Sequence, residues 1–116
     1  MDIEKIGKAM AKCFCSQVAT EVGDYSFMPV SKDTIKIFEN EKLIGRTSEV
    51  IVANTILHRE KLEKKCEEKF GWVMLKYWAK NSELEGTDLY DYLSSKCVDN
   101  GIPIDYLDRH SKDILS

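Results

Sequence analysis

Residues 60–80 read Glu60-Lys61-Leu62-Glu63-Lys64-Lys65-Cys66-Glu67-Glu68-Lys69-Phe70-Gly71-Trp72-Val73-Met74-Leu75-Lys76-Tyr77-Trp78-Ala79-Lys80. The first ten residues form a charged lattice that suits the solvated face of a helix, with Glu60–Lys64 in the favourable i,i+4 order and Lys64–Glu68 in the weaker reverse order. After Phe70-Gly71 the pattern changes, and residues 72–79 are apolar almost all round. A segment of that kind has to be buried, in the core of its own domain or against another molecule. Trp72, Leu75, Trp78 and Ala79 make one stripe, and Val73, Met74 and Tyr77 broaden it.

Towards the N-terminus, Ile51, Thr55, His58, Leu62, Cys66 and Phe70 fall at steps of three and four, which predicts a helix up to Gly71. Gly71 is expected to kink or end it, with a second helical stretch over residues 72–81. Val50-Ile51-Val52 also reads as a strand, and periodicity slightly favours helix. Before it, Thr34-Ile35-Lys36-Ile37-Phe38 and Lys42-Leu43-Ile44-Gly45-Arg46 flank the polar turn Glu39-Asn40-Glu41, the pattern of a β-hairpin. Residues 24–33, with Pro29, read as a connector. Ile3, Ile6, Met10, Phe14, Val18 and Val22 line one face of a helix over residues 2–22, with Asp2 as N-cap, Gly7 placed for a close helix crossing, and Gly23 as its stop. At the other end, Thr87 is expected to cap a helix carrying Leu89, Tyr92, Leu93 and Cys97, stopped at Asp99-Asn100-Gly101. Pro103 suits the first turn of a last helix with Ile104, Leu107 and Ile114. The expectation is one α+β domain over residues 1–116. It is mostly helical, with four to five helices and a small β-hairpin or three-stranded sheet near residues 34–52.

Composition narrows the function. Apolar residues make up 43% of the 116-residue chain and charged residues 32%, a globular balance rather than that of a disordered tail. A net charge of −3 does not draw a phosphate backbone over the whole surface, and it leaves room for a local basic patch. Bases are mostly lysine, with arginine only at Arg46, Arg59 and Arg109. With the many isoleucines, this fits an A/T-rich coding genome such as those of many bacteria, phages and mobile elements. Met1-Asp2-Ile3-Glu4-Lys5 runs straight into amphipathic sequence without an apolar leader, and no apolar run approaches a membrane span. A cytoplasmic location without membrane contact is therefore expected, with the four cysteines reduced.

No cofactor, metal or catalytic signature emerges. Cys13 and Cys15 are two apart and point about 200° around a helix from each other, while His58 and Cys66 would lie about 12 Å apart along one. Neither C-x-x-C nor H-x-x-x-H occurs. Nothing local pairs Cys15, Cys66 or Cys97 with His58 or His110 as nucleophile and base. Acids spaced by three, Asp88–Asp91 and Asp105–Asp108, suit the dipole of a first helical turn as well as a cation. A helix-turn-helix can be laid over residues 66–80 with Gly71 at the turn. It fails because Glu67 stands where a small residue is needed and Val73-Met74-Leu75 where base-reading polar side chains belong.

The expected function is therefore a non-enzymatic protein-binding domain: an inhibitor, immunity-type, adaptor or regulatory protein that occludes a partner's surface. Trp72, Tyr77 and Trp78 would be the anchors, and Glu83, Glu85, Asp88 and Asp91 would steer a basic partner. The same apolar surface would also serve a homodimer. The alternative is a nucleic-acid-binding regulator in which Arg46, Lys76 and Lys80 work with the aromatic rings.

Overall fold

The structure, a computed structural model, describes residues 1–50 and 56–115. Its first helix, α1 (Ile3–Ser16), starts where the sequence places it: the Asp2 carboxylate accepts a hydrogen bond from the Lys5 amide at 3.2 Å. Ile6, Met10 and Phe14 form the buried stripe. The helix stops six residues before the expected Val22. Gln17 turns into the left-handed region (φ 57°), and its amide closes the helix on the Cys13 carbonyl. Val18, expected on the buried face, is 59% exposed. Thr20–Val22 forms a short strand, β1, tied back to α1 by the Thr20 hydroxyl, which donates to the Ala9 carbonyl. Gly23 (φ 59°), read as a helix stop, instead turns β1 into the next strand.

That next strand corrects a second expectation. Residues read as a connector form β2 (Tyr25–Ser31), antiparallel to β1 on one side and to β3 (Thr34–Glu39) on the other. Pro29 lacks an amide donor and cannot complete a ladder on both sides. It is tolerated because β1 reaches only as far as Phe27, so β2 is itself an edge at that point. The predicted hairpin follows as β3 and β4 (Lys42–Ser48). Its Asn40-Glu41 turn takes positive φ at both residues (48° and 72°), the twist that suits a two-residue hairpin. The four strands run in the order β1-β2-β3-β4. The β element is therefore a four-stranded antiparallel sheet over residues 20–48, larger than the one expected near residues 34–52. The strand-or-helix question at Val50-Ile51-Val52 falls mainly on residues 51–55, outside the described residues.

The charged lattice and the apolar segment are one helix, α2 (Ile56–Ser82). At about 1.5 Å per residue its 27 residues are about 40 Å long, against a longest molecular dimension of 42 Å. Gly71 neither ends it nor separates two stretches. A Cβ there would lie 2.7 Å from a ring carbon of Tyr106, so this glycine admits a neighbour rather than breaking the helix. Leu62, Cys66, Phe70, Val73, Met74 and Leu75 are buried. Phe70 meets the rings of Tyr25 and Phe27 edge-on, with centroids 5.0 and 6.2 Å away. The lattice pairs that form are Arg59–Glu63 and Lys64–Glu67, while Glu68 is engaged by Arg109 and His110.

Three more helices complete the five among the described residues. α3 (Gly86–Asn100) starts at Glu85 rather than Thr87 and ends at Gly101 in the left-handed region. The last expected helix is two short ones, α4 (Ile104–Arg109) after Pro103, and α5 (Ser111–Leu115), parted at His110. Leu89, Leu93, Cys97, Ile102, Leu107 and Ile114 carry the core onto this side of α2. The chain is a mostly helical α+β domain, as its pattern predicts.

Gly7 tests the packing directly. A Cβ there would stand 2.7 Å from the backbone carbonyl of Glu63 and closer still to the Glu67 side chain. Gly7→Ala should gain up to about 1 kcal/mol of helix propensity. Overpacking against a backbone that cannot move alone costs about 1–3 kcal/mol. We expect a net loss, read as a lower urea midpoint at unchanged slope; a stabilised variant would contradict the close crossing.

Candidate functional site

On α2, residues four apart fall in rows. Trp72, Lys76 and Lys80 make one row, and Val73, Tyr77 and Asn81 the next. β4 lies against them because Gly45 has no side chain: a Cβ there would come within 2.6 Å of a Val73 methyl. Between the two rows and the residues of β4 runs a groove of about 530 Å³. It is lined by Lys42, Leu43, Gly45 and Arg46 on one side and by the α2 rows on the other. Its charged lining residues are Lys42, Arg46, Lys76 and Lys80, with no carboxylate among them. None of the four is ion-paired among the described residues.

The two aromatic residues of the groove are half-buried and pack on the core. Each carries a cation: Lys76 Nζ lies 4.6 Å from the Trp72 ring centroid and Lys42 Nζ 5.4 Å from that of Tyr77. Hydrogen bonding and charge interaction with Tyr77 hold the Lys42 ammonium above its ordinary pKa. The imidazole of His110 is 5.5 Å from the Trp72 ring. The Trp72 Nε1 donor is buried and has no partner among the described residues.

The structure thus brings together Trp72, Tyr77, Arg46, Lys76 and Lys80, drawn from both expected sets. Trp78 stands apart from the groove. It is half-buried towards α3, with Lys96 Nζ 5.5 Å from its ring and 5.7 Å from that of Tyr92. The acidic set also lies elsewhere. Glu83, Glu85, Asp88 and Asp91 are exposed at and before the start of α3. Lys76 and Lys80 form the ridge between the basic groove and a second one of about 580 Å³ that includes Glu85 and Asp113. Lys42 and Leu43 were missed by sequence reasoning. The signal was Gly45 inside a predicted strand, which marks a close approach of another element and so places its neighbours beside α2.

The remaining candidates have structural partners. The helix-turn-helix template is excluded because α2 is unbroken through Gly71. Asp105 pairs with Arg109 at 2.9 Å, and Asp108 accepts from the Tyr90 hydroxyl at 2.9 Å. His110 Nε2 lies 3.2 Å from Glu68. Burial pushes the Cys13 thiol up to about 11 and the Cys66 thiol up to about 12, and raises that of Cys97. A thiol so protonated at neutral pH is a poor nucleophile. Among the described residues no three His, Cys, Asp or Glu side chains converge on one point, and no helix is long and apolar enough to cross a membrane. Comparison with family models, curated proteins and solved structures finds no match to this chain.

Two outcomes follow. At neutral pH a thiol reagent should label the half-buried Cys15 first, with Cys13, Cys66 and Cys97 reacting only on unfolding; peptide mass mapping reads the order. Trp78→Ala should cost about 2 kcal/mol in denaturant unfolding, below the ~3–5 of a fully buried ring. An unchanged midpoint would mean that Trp78 contributes nothing to the core.

Proposed function

We propose that this chain is a small non-enzymatic protein-binding domain, of the inhibitor, immunity-type, adaptor or regulatory kind, which occludes an acidic surface of its partner with the β4–α2 groove. The observation that carries the reading is the groove's composition: four cations and two aromatic side chains without a carboxylate, on a chain whose net charge is −3. Such a concentration of one sign against the overall charge steers a partner of the other sign. Trp, Tyr and Arg are the side chains that most often anchor interfaces. The acids around α3 lie outside the groove, so a basic partner would have to use a different face.

The same convergence of Arg46, Lys76 and Lys80 favours one second reading, a single-stranded nucleic acid in the groove. Against it, bases bind by stacking on aromatic faces, and here Lys76 and Lys42 already lie over Trp72 and Tyr77.

The test is capture from lysate of the native host by the immobilised chain and by its Lys76→Glu/Lys80→Glu variant, each with and without nuclease. We expect one protein in near-stoichiometric amount, surviving nuclease and lost with the variant at unchanged melting temperature. Recovery of nucleic acid, with binding that falls steeply as salt rises, would replace this reading with the second. A protein captured equally by the variant would move the binding face away from the groove.

A further inference from the structure

β4 is the last strand of the sheet, and among the described residues no strand pairs with its free side. In an antiparallel ladder, backbone groups that do not bond the neighbouring strand point the other way, so β4 presents outward donors and acceptors on either side of the irregularity at Ile44, which is skipped between the pairs Gly45–Ile37 and Leu43–Phe38. An exposed edge of this kind is a template for another chain, and proteins usually blunt it with charge. Lys42 and Arg46 supply that charge here. Blunting alone, however, does not account for Lys76 and Lys80 on the helix beside the same edge. Five residues of strand span about 17 Å and the helix rows about 13 Å, so the groove has the length of a strand of about four or five residues.

Building on the protein-binding reading, we infer that the groove takes an extended, acid-bearing segment of the partner, which adds to the sheet as a fifth strand along β4. Its backbone meets the free edge of residues 42–46. Its alternate side chains point to opposite faces of the sheet. Acids on the helix side reach Lys42, Lys76 and Lys80, while on the other side Leu43, 46% exposed, shares with Arg46 the face that pairs with Phe38 and Lys36. A second copy of this chain is the wrong occupant, because it would bring its own Lys42 and Arg46 into a groove that already holds four cations. A phosphodiester chain would answer the cations, but its backbone has no donors for the outward carbonyls of β4.

The test is an NMR titration of the full chain with three probes: the capped peptide Glu-Val-Glu-Val-Glu-Val-Glu, its counterpart with Lys for Glu, and a short oligo(dT). We expect the acidic peptide to bind at least about tenfold more tightly than the basic one. Amides in residues 42–46 should exchange at least about tenfold more slowly in the complex, and Lys80→Glu should weaken binding without lowering the melting temperature. Acidic-peptide binding that leaves those amides unprotected would overturn the added strand and leave the protein-binding reading standing. Failure of the acidic peptide to bind overturns the inference; if oligo(dT) binds instead, the protein-binding reading fails with it.

Discussion

The fold depends on how closely its other elements approach one helix. α2 spans the molecule and is contacted at three points where a side chain has been removed. Gly7 lets α1 cross it at Glu63 and Glu67, Gly45 lets β4 rest on Val73, and Gly71, on α2 itself, admits Tyr106 and Ile102. The three contacts bring in different elements: the first helix and the C-terminal helices meet the row Glu63–Glu67–Gly71 of α2, and the sheet meets the helix at Val73. Glycine in a helix interior costs up to about 1 kcal/mol against alanine, so two such residues in α1 and α2 are locally unfavourable. The burial they permit offsets that cost. Phe14, Phe27, Phe70, Met74 and Leu75 are all fully or almost fully inaccessible, and burying a large apolar side chain contributes about 1.5–3 kcal/mol each.

The groove is a consequence of the same arrangement. Gly45 sets the close approach of β4 to α2 at Val73, and beside that contact lies the groove. Glu49, just past the other end of β4, pairs with both Lys65 and Lys69 at 3.2 and 3.3 Å. At the hairpin end Glu39 lies opposite Lys42 across the turn, but among the described residues none of Lys42, Arg46, Lys76 and Lys80 makes an ion pair. The contrast lies within one strand–helix pair: Lys64, Lys65 and Lys69 of the charged lattice are ion-paired, and among the described residues Lys76 and Lys80 of the apolar segment are not.

Much of this was legible in the residues, and what was not has physical reasons. The α1 stripe, the β3–β4 hairpin and the α3 stop at Gly101 came from periodicity and turn chemistry, which act locally. β1 and β2 did not. Val18 and Val22 continue a helical spacing by accident, and the left-handed turn at Gln17 that interrupts them uses a residue with no strong preference for it. Pro29 looked disqualifying until the short reach of β1 made its site an edge. Gly71 looked like a break because propensity cannot register that Tyr106 needs the space. For the site, the sequence singled out Trp72, Tyr77, Lys76, Lys80 and Arg46 but divided them between two hypotheses. Only tertiary packing unites them, and it separates Trp78, one residue from Tyr77, because successive helical residues turn by about 100°.

The lysines over Trp72 and Tyr77 bear on which anion the groove suits. An exposed cation–π contact contributes about 0.5–1 kcal/mol. A stacking base must displace the ammonium, so each ring used forfeits about 0.5–1 kcal/mol of existing interaction against a gain of about 1–3 kcal/mol per base. The contacts already in place reduce the return from stacking. A carboxylate has no need of the ring. It approaches the ammonium from the solvent side while the ammonium stays where it is, so the intramolecular contact is kept and the cation is pre-positioned. Holding a long side chain in place before binding reduces the entropy lost when the partner arrives, about 0.5–1.5 kcal/mol per immobilised side chain. On the proposed reading the rings act as supports that fix the charges, and a carboxylate on a protein chain meets them without displacing either ammonium.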